Sequence, residues 1–320
     1  MPAYRGLAYK DVPLKDILWE IKGEVGYITL NRPEKLNAMK HGLHGIEIQI
    51  LRAAHEAANN PEVKVVVVKG NGRCFSAGYD VARGLEKEEH PGDAGGRPWM
   101  WKNRDEMQAI DHWEREQDDR YIWTEAIWKN PKPFIAQVHG FCLAGGLDLA
   151  NSCDVIIASD DAVFGYPAVR WGSMSMTPTW WLTVGMHKAK EMMLTGNMLT
   201  AQDMYNFGMV NRVVPRDKLE EEVKRLTDAM LLVPVAGQFM NKWAVNHYFD
   251  ALGLQSAMDI ADAYDAIVHA SPSPEGEEFN RIAEEQGLKA ALEWRDKRFA
   301  ALEEKAVRDL RARKHEPPKK

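Results

Sequence analysis

Between Pro133 and Asp161 the chain runs PFIAQVHGFCLAGGLDLANSCDVIIASDD, and no other stretch restricts its folding as much. Two apolar runs, FIAQV and VIIAS, have the length and residue types of buried strands. Between them Ala144-Gly145-Gly146 leads into LDLANS, so one strand must leave through a tight glycine turn and pass into a helix. A strand–turn–helix–strand order calls for a sheet with a helix packed on it, an α/β arrangement. Asp148 falls in the first turn of that helix, three residues past Gly145.

The flanking sequence extends the pattern. VGYITLNRP (25–33) reads as a strand ending in a turn, and VKVVVV (63–68) as a strand buried on both faces. Leu43, Ile46, Ile50, Ala54 and Ala57 recur as one face of a helix that Asn59-Asn60-Pro61 ends. Residues 84–132 break the rhythm. A polar Gly/Pro-rich loop precedes a run of helix formers in which Met107, Ile110, Trp113, Ile122 and Ala126 form an apolar stripe. From about 178 onward helices are expected at 187–195, 200–207, 217–232, 234–250, 255–270 and 286–305, interrupted by one strand-like NRVVP. No internal repeat or low-complexity run is visible.

Several functions are disfavoured by composition. A net charge of −6 over 320 residues gives no basic field for nucleic acid, and the basic end RARKHEPPKK reads as a solvated tail. No window reaches the roughly 18 apolar residues of a membrane helix. MPAYRGLAYKDVPLKD lacks the apolar core of a secretory signal. Cys74, Cys142 and Cys153 form neither a metal-ligand spacing nor a paired disulfide set, so a reducing cytoplasm and no metal are expected.

Familiar motifs fail on inspection. Gly70-Asn71-Gly72 begins a dinucleotide fingerprint whose third glycine would fall at Phe75. A phosphate loop and HExxH are absent, and Cys74 stands where a nucleophile elbow around Ser76 needs glycine. His139 reads as structural. Two glycine turns remain, Phe75–Asp80 and Leu143–Asp148. They are either tight packing turns or paired backbone donors facing one ligand oxygen, and the spacing leaves both open.

LNRPEKLNAM, CFSAGYD, PKPFIAQVHGFCLAGGLDLA, CDVIIASDDAVFGYP and LTAQDMYNFGMVNRVVP, in this order between about residues 20 and 250, together resemble the crotonase (enoyl-CoA hydratase/isomerase) superfamily. The resemblance implies an α/β spiral of ββα units over residues 1–215, with the Trp-rich insertion at about 84–132. It implies a helical oligomerisation region over 216–320 that builds trimers or paired trimers. It makes an acyl-CoA thioester the substrate, with coenzyme A entering as part of that substrate and no bound cofactor. The N–H groups of Ala77 and Gly145 would form an oxyanion hole, and both must be disengaged from protein carbonyls to do so. The turn Arg32, Lys35, Leu36, Ala38 and the loop Ser76, Ala77, Gly78, Asp80 would hold the CoA portion.

The family's hydratases pair a glutamate at the position of Asp148 with a second glutamate on the next loop. Here the second position is Ala168, within FGYPAVRWG, followed by Trp171. Two-carboxylate hydration is therefore in question. Asp148 acts alone as general acid/base, or Tyr166, Arg170 or Glu125 replaces the missing acid, or Asp148 only caps its helix. Tryptophans 99, 101, 113, 123 and 128, with Trp171, Trp180 and Trp181, suggest a bulky acyl group as a set, while any single one is more readily read as filling core or interface. The expectation is an enolate-forming lyase or isomerase of the hydratase type. The alternatives are a C–C or thioester hydrolase and an inactive acyl-CoA-binding protein.

Overall fold

The computed structural model describes residues 11–40, 45–81, 124–175, 177, 179–271, 273–303, 305 and 307–308. Expectations placed on Leu43, on most of the 84–132 insertion and on the basic tail lie outside these residues.

A six-stranded sheet forms the centre, in the order β1 (Ile17–Lys22), β2 (Val25–Leu30), β3 (Val65–Gly70), β4 (Phe134–Val138), β6 (Val155–Ser159) and β9 (Arg212–Val214). β1 and β2 form an antiparallel hairpin, and every other neighbouring pair is parallel. The valine run of β3 is buried on both faces by its period of two. Val66 and Val68 join Ile28, Leu30, Phe134 and Ala136 in the main core beside α1 (Ile46–Asn59). Val65 and Val67 join Val25, Ile135 and Ile157 under Leu219 and Val223 of α6 (Leu219–Leu231). The helix face expected from Ile46, Ile50, Ala54 and Ala57 is fully buried.

A smaller sheet, β5 (Phe141–Leu143), β7 (Val163–Gly165) and β8 (Met198–Thr200), stands beside the first. β4 and β6 belong to the large sheet, while β5 and β7, a few residues later, belong to the small one. After β5 comes helix α2 (Gly145–Ser152), completing one ββα unit. Gly140 permits the sharp step from β4 to β5: its φ is +58°, and a Cβ there would meet the Cys74 Cα and Cβ at 3.0 Å. β8 feeds α5 (Ala201–Asn206) through a capping box between Thr200 and Asp203. Helices α3 (Thr179–Val184) and α4 (Met186–Thr195) precede β8.

The helical region α7 (Val235–Ala251), α8 (Leu254–His269), α9 (Pro274–Gln286) and α10 (Leu288–Lys297) follows. Of the helix expected over 286–305, residues 288–297 form α10; Gly287 (φ +88°) separates it from α9, a helix that sequence reading missed. Buried Lys242 ties α7 to the core, donating to the carbonyls of Ile127 (2.8 Å) and Lys132 (3.0 Å) and to Asp154 (2.8 Å).

Candidate active site

The segment 75–80 lies between two neighbours. On one side Ala77 donates its N–H to the Leu36 carbonyl (2.9 Å), Met39 donates to the Gly78 carbonyl (2.8 Å), and Asp80 donates to the Met39 carbonyl (2.7 Å). On the other side Ser76 donates to the Phe141 carbonyl (2.9 Å) and accepts from the Leu143 N–H (3.1 Å). The Ala77 amide is therefore engaged, which corrects its expected role as an oxyanion donor. In the parallel bridge between Met39 and Tyr79, Gly78 and Asp80 supply the bonds to Met39. Alternation along the strand then turns the Tyr79 N–H to the side where residues 141–145 run.

Gly145 opens α2, where an N–H has no partner within the helix. Ala144 before it sits at φ 46°, ψ −122°, a region costly for a residue with a side chain. Those dihedrals set the peptide that carries the Gly145 N–H. The two glycine turns interlock. A Cβ on Gly78 would lie 2.7 Å from the Leu143 carbonyl oxygen, one on Gly146 2.8 Å from the Ser76 Cβ, and one on Gly145 2.6 Å from the Tyr79 ring. Tight packing and donor presentation, alternatives in the sequence, are therefore properties of the same turns.

Asp148 is fully buried on α2. Its Oδ1 accepts from Thr177 Oγ1 (2.6 Å) and Ser175 Oγ (2.8 Å), and its Oδ2 from Tyr166 Oη (3.4 Å). Burial pushes its pKa up to about 7, the three hydroxyls oppose that rise, and the nearby charge of Asp265 adds to it. No side chain caps the start of α2, so the helix-capping reading of Asp148 does not describe this carboxylate. Both strong donors share Oδ1, which leaves Oδ2 as the oxygen better able to take and return a proton near neutral pH.

Of the two proposed substitutes whose side chains are described, Tyr166 reaches Asp148 and Arg170 does not. Arg170 points away: its Nη1 pairs with Glu303 (3.0 Å), and its guanidinium lies 4.2 Å from the centre of the Phe299 ring. The side chains of Glu125 and Trp171 lie outside the described residues. Ala168 is half-buried on a 3-10 turn, Pro167–Trp171, that starts directly after Tyr166. Trp180 is not a pocket wall. It is fully buried, and its Nε1 donates to Ser175 Oγ (3.1 Å).

The remaining expected residues gather around the 32–38 turn. Arg32 donates to the Ala38 carbonyl (2.6 Å) and to Asp80 (3.0 Å), so these two charges brace turn and loop against each other. Lys35 is exposed, while Leu36 and Ala38 are half-buried. Ser76 is fully buried; its Oγ donates to the Asn37 carbonyl (2.9 Å) and accepts from the Gly78 N–H (3.1 Å). Sequence reading missed Asn37, which holds the assembly together. Its Nδ2 donates to the carbonyls of Asn71, Cys74 and Phe75 at 2.9–3.1 Å, and its Oδ1 accepts from the Arg32 N–H. An asparagine in a turn, a residue type that tolerates the left-handed φ of 53° found here, was the available signal. Ser175 and Thr177 were missed as well, and SMSMTPT carries no spacing that marks them.

ββα units delivering backbone amides beside a buried carboxylate define a crotonase-type protein. Residues 20–276 match the family model of enoyl-CoA hydratase/isomerase. A probable enoyl-CoA hydratase of Rhizobium meliloti is 34% identical over 234 residues, 72% of this chain and 80% of that protein. The crystal structure of an enoyl-CoA hydratase from Mycobacterium smegmatis superposes with a TM-score of 0.78 at 26% identity, covering 92% of this chain and 97% of its own. That of an enoyl-CoA hydratase/isomerase from Xanthobacter autotrophicus Py2 gives 0.75 at 32% identity, covering 89% and 98%. The chain belongs to the enoyl-CoA hydratase/isomerase family.

Among the described residues no helix is long and apolar enough to cross a membrane, and no cluster of three His, Cys, Asp or Glu could hold a metal ion.

Proposed function

We propose that the protein is an acyl-CoA lyase or isomerase working through a thioester enolate, with Asp148 as its one acid/base. The observation that carries this reading is the fully buried Asp148 carboxyl, held by Ser175, Thr177 and Tyr166 behind the Gly145 turn, where burial raises its pKa. Removing the α-proton of a thioester drives charge onto the carbonyl oxygen, and fixed N–H donors stabilise that charge more than the neutral ground state. Gly145 and Tyr79 are the donors this reading assigns. With Ala168 in the second position, one carboxylate must both remove and return the proton. Loss of a β-substituent or a double-bond shift needs no more. Purified protein should change the absorbance of an enoyl-CoA and exchange its substrate's α-proton in D2O. CoA-ester binding without either change would remove this function.

The proposal includes a homo-oligomer. The outer faces of α7 and α8 expose Met240 (62%), Tyr248 (63%), Ile260 (53%), Tyr264 (57%) and Ile267 (56%), with the α8 residues at helical spacing on one stripe. An apolar patch of that kind marks an interaction surface. Light scattering should give a multiple of the 36.3 kDa chain mass, and Tyr264→Lys should lower it. A monomer at micromolar concentration would contradict this assembly.

A further inference from the structure

Ser175 and Thr177 supply both strong donors to Asp148, yet residues 173–175 and 177 belong to no helix or strand. Their hold comes from α8, a helix distant in sequence. Asp265 is buried, and its Oδ1 accepts the Met174 N–H at 2.7 Å and lies 3.4 Å from Ser173 Oγ. One residue further on, Ser175 donates to Asp148 and receives Trp180 Nε1 at 3.1 Å. A Cβ on Gly172 would touch Val268 of the same helix at 3.5 Å, so α8 packs against the stretch from its start.

We propose that Asp265 is a positioning residue for the reaction: by anchoring Met174 and Ser173 it holds Ser175 and Thr177 on Asp148, so the acid/base is complete only with α8 docked. The inference deepens the reading of Asp148 as the acid/base and rests on it. Two ionisable groups act on the Asp148 carboxyl from the elements around it, Tyr166 directly after β7 and Asp265 on α8, and the charge of Asp148 in turn helps raise the Cys142 thiol on β5. Asp265 itself faces His269 Nδ1 at 3.1 Å.

Two substitutions should move Asp148 in opposite directions. Asp265→Asn keeps an acceptor for the Met174 N–H and removes a charge that disfavours ionised Asp148. The midpoint of Asp148 should fall, and kcat should stay within about threefold of wild type. Asp265→Ala removes the acceptor. The hydroxyls that favour the carboxylate are then no longer held, and they outweigh the Asp265 charge. The midpoint should rise, and kcat should drop about 10²-fold with little change in KM.

The midpoint is read by 13C-carboxyl titration of the full chain, with the Asp148 signal assigned by its loss in Asp148→Asn. Turnover is measured on the same preparations. Folded Asp265→Ala with unchanged midpoint and kcat overturns the inference. If that variant does not fold, Asp265→Glu, which keeps the charge and displaces the acceptor, is read in its place, and an unchanged midpoint and kcat there overturn the inference. Wild-type turnover in Asp148→Asn would instead refute the catalytic reading, and the titrations would still decide whether Asp265 controls the carboxyl.

Discussion

Asp148→Asn is expected to lower kcat by about 10²–10⁴-fold, the usual worth of a positioned acid/base, in a protein that still folds. Asparagine matches the carboxylate in shape and can still accept from Ser175 and Thr177, so the surrounding packing survives the change. It cannot carry the proton. In the wild type the carboxylate form removes the α-proton, so kcat/KM should rise with pH and level off above about 7. Stability should move the other way. The folded-state pKa of about 7 lies above the ordinary 3.8, so the folded chain binds a proton over a range where the unfolded chain has lost it. Ionising Asp148 therefore destabilises the fold, with no effect below about pH 4 and the full effect above about pH 7. The asparagine variant should accordingly gain stability relative to wild type as pH rises through that window, on the order of a few kcal/mol. A wild-type rate in this variant would remove Asp148 from the chemistry.

Arg170→Ala is the second large effect, and it acts on the fold. The Arg170 side chain is 0% exposed; Glu303 is 3% exposed and 3.0 Å away, with Asp296 at 3.8 Å. Truncating the arginine leaves a carboxylate buried without its cation, which typically costs about 3–5 kcal/mol. It also removes the face that packs on Phe299. Denaturant unfolding should report that loss. The double variant Arg170→Met/Glu303→Met should recover part of it, because both charges of the buried pair are removed together. Arg170→Ala within about 1 kcal/mol of wild type would show that the pair is solvated in solution. Arg170 follows Tyr166 on the turn beside Asp148, so this pair fastens Glu303, beyond α10, to the site from one side, while Asp265 holds the other.

The main strands were legible because each is a short β-branched or apolar run closed by a turn. Strands that escaped notice were short or mixed. β1, ILWEIK, has charges at two of its six positions and lies at the sheet edge. β5, β7 and β8 have three residues each and are strands only because they pair with one another. The Ala77 assignment failed for a similar reason. Spacing shows where a turn lies, but which side of it each amide faces depends on the bonding of both neighbouring segments. Leu36 and Met39 come from a turn far earlier in the chain.

By itself the sequence determined the alternation of strand and helix, the two glycine turns, an acid after the second turn and an alanine where its partner would stand. These are local matters of side-chain size, branching and backbone freedom. Only the tertiary structure decided the state of that acid. The hydroxyls of Ser175, Thr177 and Tyr166 and the charge of Asp265 reach Asp148 from sequence-distant elements. A buried carboxyl's proton affinity depends on what surrounds it in space, whatever its distance along the chain.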